Sequence, residues 1–188
     1  MNKTKRAIFE TSMKLFAEKG YEATSVEEIT ATVGVAKGTL YYHFSSKEEI
    51  FNFLVEEGMN LLKNSIFIKT SKLNNSIDKI KAIILIEIKI MLKYENFITL
   101  LLSEIWGSGN KNIKCRKEVF SCIKILEEII NEGIEKKEIK QINAKIASTN
   151  IFSMICSELI YKKEQGNKVT IQELYNEYVK MITEGLLK

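Results

Sequence analysis

The chain has no proline among its 188 residues, and this absence bears first on its secondary structure. It also lacks any run of alternating apolar and polar residues between turn residues, which would be typical of a β-hairpin. Apolar residues instead recur at helical spacing along most of the chain. We therefore predict an all-α fold. The predicted helices cover residues 3–19, 25–33, 36–43, 47–70, 76–93, 97–107, 112–137, 143–165 and 170–187.

Residues suited to metal or redox chemistry are few. His43 is the one histidine, and the three cysteines, Cys115, Cys122 and Cys156, have no CxxC spacing. This composition predicts neither a disulfide framework nor a zinc site, and we expect no metal and no cofactor. Cys115 and Cys122 are seven residues apart and can share a helix face. Redox sensing therefore remains an alternative to a role as buried thiols.

Motifs of common enzymes are missing as well. The sequence contains no glycine-rich phosphate loop, no GxSxG and no HExxH. A cysteine or serine nucleophile would have only His43 as a partner for a catalytic triad. We therefore predict that the protein is not an enzyme and has no catalytic residues.

Long uncharged runs, which membrane helices need, are also missing. The most apolar stretch, residues 77–92, contains five charged side chains: Asp78, Lys79, Lys81, Glu87 and Lys89. It cannot cross a bilayer, because a span needs about 18 or more residues with few or no charges. Glu10 and Lys14 interrupt the apolar segment that a secretion signal would require. We expect a cytoplasmic protein that does not bind membranes.

The overall charge is compatible with nucleic-acid binding but does not establish it. The net charge of the chain is +4, and residues 1–47 hold seven basic against five acidic side chains. Their net charge of only +2 is too small to identify a DNA-binding segment by electrostatics alone.

Residues 24–44, TSVEEITATVGVAKGTLYYHF, predict two short helices joined at Gly34, which is the form of a helix-turn-helix. Val26, Ile29 and Val33 share one face of the first helix, and Leu40 belongs to the inner face of the second. The outer face of the second helix then carries side chains that suit a DNA groove. These are Lys37, Gly38, Thr39, Tyr41, Tyr42 and His43.

Together with the preceding LFAEKGYEATSVEEI and the following SSKEEI, this segment resembles the DNA-binding domain of TetR-family repressors. The resemblance runs without a gap from about Ile8 to Ile50. It implies a ligand-responsive transcriptional repressor that binds a palindromic double-stranded DNA operator as a homodimer and is released by a small-molecule effector. One departure is the pair Thr32-Val33, where the family more often has small residues, and it bears on local packing.

The resemblance also implies roles for individual residues. Lys37, Gly38, Thr39 and Tyr42 would face the major groove. Tyr41, His43 and Lys47 would clamp phosphates, with Thr24 and Ser25 on the flank.

Beyond residue 50 the resemblance fades, and the interpretation rests on the apolar pattern. We predict a three-helix DNA-binding domain over residues 1–47. A bundle of about six helices over residues 48–188 would sense the ligand and dimerise. Candidates for a ligand pocket combine large apolar side chains with polar ones, although such residues also simply fill cores. They are Glu87, Phe97, Leu101, Glu104, Ile105 and Trp106.

The last two predicted helices have amphipathic faces suited to pairing with a second subunit. The candidate interface residues are Ile151, Ile155, Leu159, Leu174, Tyr178 and Met181. An intrachain helical hairpin is the alternative for this region. For the whole chain, the alternative function is a helical protein-interaction module without DNA binding, which would leave the polar face of residues 37–43 unexplained.

Overall fold

The computed structural model describes residues 2–165 and 170–186, without the side chains of residues 159–165 and 186. All regular structure in these ranges is helical, and the all-α prediction is confirmed. The helices are α1 (Lys3–Lys19), α2 (Val26–Val33), α3 (Lys37–His43), α4 (Lys47–Thr70), α5 (Ser76–Lys93), α6 (Glu95–Glu104), α7 (Asn110–Glu135), α8 (Ala144–Gln165) and α9 (Ile171–Leu186). Within the described ranges, none of them is long and apolar enough to cross a membrane.

Local capping explains where the helices of the helix-turn-helix segment begin and end. Gly34 adopts a left-handed conformation with φ of 78°, and its N–H donates to the Thr30 carbonyl, which ends α2. The sequence suggests Thr24 and Glu27 as the capping box of α2, but this is wrong. Ser25 is the N-cap, and its hydroxyl oxygen accepts from the Glu28 N–H at 3.1 Å.

The corner between α6 and α7 differs from the prediction. Helix α6 ends at Glu104, whereas the apolar pattern predicts a helix over residues 97–107. The Asn112 side chain explains the earlier end, because its amide donates to the Glu104 carbonyl at 2.6 Å. The Asn112 side-chain oxygen also accepts from the Gly109 N–H at 3.1 Å. This hydrogen bond stabilises the turn that leads into α7.

The chain divides into two compact units that do not follow sequence order. The first consists of Met1–Gly58 with Tyr94–Glu118, and the second of Met59–Lys93 with Val119–Lys188. Helices α4 and α7 each contribute residues to both units. The domain division at residue 47 stays a prediction.

The core of the first unit forms where α1 packs against α2, α3 and α6. Ile8, Ile29 and Leu40 are fully buried there, as the helical spacing predicts. Full burial of such a side chain stabilises a fold by about 1.5–3 kcal/mol. Beside them, the rings of Phe16 and Tyr21 lie 5.2 Å apart, so this unit has a small aromatic core of its own.

The core of the second unit forms where α5 packs against α8 and α9. Four isoleucines of α5 are buried: Ile80, Ile83, Ile84 and Ile88. The start of α5 is held by the Glu138 carboxylate, which accepts from the Ser76 N–H at 2.6 Å. An ion pair between Lys79 and Glu132 at 2.7 Å joins α5 to α7 in the same unit.

Candidate nucleic-acid interface

Helix α3 presents one exposed face to solvent. Leu40 is fully buried and attaches the helix to its unit, while Lys37, Gly38 and Tyr41 are exposed and Tyr42 is 83% exposed. A Cβ added at Gly38 would meet no atom within 4 Å, so this position is open space at the surface. The exposed face contains the residues that the sequence predicts for the major groove, apart from half-buried Thr39.

His43 is half-buried at the end of α3, and its ring lies 5.0 Å from the Tyr42 ring in an edge-on arrangement. This contact limits the orientations of the exposed tyrosine. The predicted phosphate contacts of Tyr41 and His43 stay predictions.

The Lys37 ammonium pairs with the Glu27 carboxylate of α2, across the turn between the two helices. Both side chains are largely exposed, and the Tyr41 ring centroid lies 5.9 Å from the ammonium nitrogen. The hydrogen bond to Glu27 raises the pKa of Lys37, and the bond to Lys37 lowers the pKa of Glu27. Both groups are therefore charged at neutral pH.

Thr24 and Ser25, predicted to flank the interface, lie in different surroundings. Thr24 is 1% exposed, and its hydroxyl donates to the carbonyls of Gly20 at 2.9 Å and Leu15 at 3.3 Å. Its hydroxyl proton is thus used inside the fold. Ser25 is exposed as the N-cap of α2. Their contacts with a phosphate stay predictions, and of the two only Ser25 is accessible.

Lys47, predicted to clamp a phosphate, holds the turn between α1 and α2. Its ammonium donates to the carbonyls of Tyr21 at 2.9 Å, Thr24 at 3.0 Å and Glu22 at 3.4 Å. It also lies 4.4 Å from the centroid of the Tyr21 ring. The sequence does not indicate this structural role, because the partners are more than twenty positions away along the chain.

Lys111, at the start of α7, contacts the same turn, and the sequence does not indicate this role either. Its ammonium is 3.4 Å from the Tyr21 ring centroid, 3.0 Å from the Glu22 carboxylate and 2.9 Å from the Glu104 carboxylate. The Lys111 side chain is only 13% exposed. Burial, followed by the charges of nearby glutamates, raises the pKa of Tyr21 to about 12, so the ring stays neutral between its two lysines.

The Glu104 carboxylate therefore already binds two side chains of its own unit. Besides pairing with Lys111, its carboxylate accepts from the Asn112 amide at 2.9 Å. A ligand would have to displace these groups to bind it. The ligand role predicted for Glu104 stays a prediction. In the structure this side chain joins the end of α6 to the start of α7 through Lys111 and Asn112.

The other ligand candidates near α6 fall into two groups. Phe97 and Leu101 are buried, and the Phe97 ring is so close to Gly58 that a Cβ there would lie 2.5 Å from it. Ile105 is half-buried, while Trp106 is 87% exposed. Trp106 thus stands on the surface of its unit, and the ligand roles of these four residues stay predictions.

Glu87 is an unusual group in the core of the second unit. It is 8% exposed among isoleucines of α5, and its Oε2 has no hydrogen-bond partner among the described residues. Burial raises the pKa of Glu87 to about 8, so the carboxyl is mostly protonated at neutral pH. A neutral carboxyl can donate a hydrogen bond, and the ligand role of Glu87 stays a prediction.

Most of the predicted dimer residues lie inside the second unit. Ile151, Ile155, Leu174 and Tyr178 are buried, and the Tyr178 hydroxyl donates to the Glu158 carboxylate at 2.9 Å. The Leu159 side chain lies outside the described residues. The dimer contacts of these five residues stay predictions.

Met181 alone of the described dimer candidates is exposed, at 59%. It lines a shallow apolar groove formed by α8, α9 and the residues before α8, in which Ile146 is also 59% exposed. The groove therefore offers apolar surface on the outside of the unit.

The cysteines are shielded. Cys115 and Cys122 are buried and Cys156 is half-buried. Burial raises the pKa of the Cys115 and Cys156 thiols to about 12, and the Glu87 charge contributes at Cys156. Redox-sensing thiols need a lowered pKa, so these two provide no support for that alternative. The searched residues hold no group of three or more potential metal ligands among His, Cys, Asp and Glu.

Comparisons with known proteins find bacterial transcriptional regulators. A family model described as bacterial regulatory proteins, tetR family, matches residues 8–54. The biofilm operon icaADBC HTH-type negative transcriptional regulator IcaR of Staphylococcus aureus is 39% identical over 74 residues, which are 39% of this chain and 40% of that protein. The chain spans about 40% of the length of the curated relatives it matches.

Solved structures resemble the whole fold. A putative fatty acid metabolism regulator of Clostridium perfringens superposes with a TM-score of 0.90 at 28% identity, covering 97% of this chain and 99% of that one. The transcriptional regulator FadR of Bacillus subtilis, in complex with stearoyl-CoA, superposes with a TM-score of 0.86 at 23% identity. That match covers 96% of this chain and 98% of the other, and at this identity it shows the fold alone.

Proposed function

Because residues 8–54 match the tetR family of bacterial regulatory proteins, we propose that the chain is a repressor of this family that binds a palindromic operator as a homodimer and is released by a small molecule. The DNA-binding part of this proposal is supported chiefly by the exposed face of α3. Tyr42 is 83% exposed and Lys37 is exposed as well, so neither side chain contributes much to the packing of the fold. Both side chains suit a DNA groove, where they can donate to bases and phosphates.

The apolar groove around Ile146 and Met181 supports the dimeric state. Both side chains are more than half exposed, and a second copy placed symmetrically on this surface would cover the groove. A two-fold dimer carries two α3 helices, which require two half-sites of opposite orientation. The operator is therefore expected to be palindromic, with half-site centres about 34–36 Å apart or a multiple of this distance.

The relatives favour an acyl compound as effector. One structural neighbour is named for fatty acid metabolism, and another was solved with stearoyl-CoA. The core of the second unit is rich in isoleucine, and the protonated Glu87 could donate a hydrogen bond to an acyl carbonyl there. Ligand binding and operator binding would then weaken each other by the same factor, with a coupling free energy of about 1–3 kcal/mol.

The test is a mobility-shift assay with the full chain and the DNA upstream of its own gene. We expect a retarded complex of two chains per duplex that survives excess random-sequence DNA. Stearoyl-CoA should release this complex, while coenzyme A alone should not. If neither the upstream DNA nor random-sequence DNA is retarded, the chain is better described as a helical protein-interaction module without DNA binding.

A further inference from the structure

Three large apolar side chains of α4 are exposed together. Phe67 is 71% exposed, Ile68 is 61% exposed and Leu61 is 45% exposed. The same helix already packs its own unit with another set of apolar side chains, among them the buried Leu62 and Ile66. Neighbouring exposed side chains of this size are typical of an interaction surface, whereas single ones need no explanation.

These side chains belong to one face of α4 with Asn64 at its centre. Leu61 lies three residues before Asn64 and Phe67 three residues after it, while Glu57 and Ser71 lie seven residues to either side. Residues at these spacings share one side of a helix, and all five are exposed. The Ser71 N–H donates to the Phe67 carbonyl at 3.0 Å, which continues the last turn of the helix. The α4 face consists of Glu57, Asn60, Leu61, Asn64, Phe67, Ile68 and Ser71.

The order of residues makes the α4 face complementary to itself. When two copies of the helix pair antiparallel about a two-fold axis at Asn64, Leu61 of each copy lies opposite Phe67 of the other. Apolar side chains then cover apolar side chains on both sides of the axis. The two Asn64 amides meet at the axis, where each can donate to and accept from the other. A polar pair within an apolar seam fixes the register of two helices.

Charges at the two ends of the face favour the same orientation. Glu57 is exposed at one end, and Lys72, directly after Ser71, is exposed at the other. Antiparallel pairing brings Glu57 of each copy towards Lys72 of the other, whereas parallel pairing would oppose like charges. Exposed ion pairs contribute only about 0–1 kcal/mol each, so these charges select the orientation more than they add affinity.

We propose that the α4 face is an interface for a second copy of this chain, distinct from the groove around Ile146 and Met181. A few side chains of one helix form a small contact, so the association is weak. The contact joins dimers into larger assemblies, and this size rests on the proposed homodimer. Dimers bound at neighbouring sites on DNA then hold one another, because DNA raises their local concentration.

Disulfide cross-linking tests the arrangement of the two helices. Asn64→Cys places one thiol of each copy at the two-fold axis, where mild oxidation can join the two. The matched control is Asn60→Cys, which replaces an exposed asparagine of the same face one turn earlier. In the antiparallel pair its two thiols are offset by eight residues, about 12 Å along the helices, which is too far for a disulfide. The wild-type chain reports the background from the native cysteines.

We expect Asn64→Cys to form covalent pairs at least about 10-fold faster than Asn60→Cys at equal protein concentration. Thermal unfolding establishes beforehand that both variants are folded. Equal rates in the two variants would show random collision and overturn the proposal. The absence of covalent pairs in both would overturn it as well.

Sedimentation tests whether the apolar side chains hold the contact together. At about 0.1 mM the wild-type chain should sediment partly as species larger than a dimer, as expected for a weak interface. Phe67→Lys should remove these species and leave the dimer intact. Phe120→Lys is the control, because Phe120 is 59% exposed on α7 and does not belong to the α4 face. An equal effect of both variants would contradict a specific role of α4.

Met181→Lys separates this inference from the proposed homodimer. In a chain that carries both Met181→Lys and Asn64→Cys, we expect covalent pairs to form as before, because the two surfaces are distinct. If Met181→Lys leaves the assembly unchanged while Asn64→Cys still cross-links, the proposed dimer surface fails and this inference stands. A dimer that Met181→Lys dissociates, without any cross-link through Asn64→Cys, overturns this inference alone.

Discussion

The Lys111 ammonium lies 3.4 Å from the centroid of the Tyr21 ring, close enough for a strong cation–π contact. Tyr21 opens the turn that leads into α2, and Lys111 also pairs with Glu22 in that turn and with Glu104 at the end of α6. One ammonium therefore ties the start of the helix-turn-helix to the corner between α6 and α7, all within the first unit.

We expect Lys111→Met to lower the free energy of unfolding by about 1–3 kcal/mol, because it removes a nearly buried charge from two carboxylates and a ring. Urea unfolding followed by circular dichroism measures the change. The matched control is Lys114→Met, one turn later on the same helix. Lys114 pairs with Glu56 where both side chains are about 40% exposed, so its loss should cost less than about 1 kcal/mol. Equal losses in the two variants would contradict a special role for Lys111.

Tyr42 and Lys47 should separate DNA binding from stability. Tyr42→Ala should leave stability within about 0.5 kcal/mol of wild type, because the side chain is 83% exposed, yet weaken operator binding by about 1–3 kcal/mol. Lys47→Ala should lower stability by about 1–3 kcal/mol, because its ammonium donates to three carbonyls of one turn.

Thermal unfolding and operator titration on the same samples measure both effects. A Lys47→Ala chain with wild-type stability and weakened affinity for every DNA sequence would restore the predicted phosphate clamp as the main role of Lys47. A strongly destabilised Tyr42→Ala chain would contradict the exposed position of that ring.

Glu87 should make the free energy of unfolding fall as pH rises, because its pKa is raised in the folded chain. The ordinary glutamate pKa of 4.5 applies to the unfolded chain, and burial raises the pKa in the folded chain to about 8. Between these values the folded chain holds a proton that the unfolded chain has lost. The stability associated with this proton is complete below pH 4.5 and is lost as pH rises through 8.

Glu87→Gln cannot ionise, so its stability relative to wild type should rise with pH, by up to roughly 3 kcal/mol between pH 5 and pH 8. Urea unfolding at several pH values measures the difference. Glu128→Gln is the control, because that side chain is 66% exposed and should show no such trend. A difference between Glu87→Gln and wild type that does not vary with pH would mean that water or another group stabilises the ionised form.

The groove on α8 and α9 gives a prediction about assembly. Met181→Lys places a charge on its exposed apolar surface and should shift sedimentation from dimer to monomer at micromolar concentration. Phe67→Lys on α4 provides a control, since Phe67 is 71% exposed but does not line the groove. If Phe67→Lys dissociates the dimer and Met181→Lys does not, the interface lies outside this groove.

Sequence predicts the helices well because their signals are local. Apolar spacing sets the length of α4, predicted and found over residues 47–70, and Gly34 ends α2 through its own backbone conformation. At the start of α9, Thr170 and Glu173 are three residues apart and form a capping box with hydrogen bonds in both directions, which is again a local signal. The end of α6 was missed because it depends on a side chain of the next helix, Asn112.

The site was predictable only where exposure follows from helical periodicity. Once Leu40 is placed inward, Tyr42, two residues later, must face outward. Lys37 is three residues before Leu40, so periodicity does not place it outward, and its exposure at the first position of α3 is a finding of the structure. The structural role of Lys47 depends on a turn 23–26 residues earlier, and that of Lys111 on a glutamate 89 residues away. Periodicity also cannot tell an intrachain from an intersubunit contact. Ile151 and Met181 therefore shared one prediction, although one is buried and the other exposed.

The shielded thiols make the chain convenient for distance measurements. Cys115 and Cys122 are buried, and with a pKa of about 12 the thiols of Cys115 and Cys156 hold almost no thiolate at pH 7. A maleimide or methanethiosulfonate reagent should react far faster with a cysteine introduced at exposed Ser45, just after α3. In the proposed dimer, spin labels at this one position of each subunit would report the distance between the two α3 helices, with and without the proposed effector, without replacing any native cysteine.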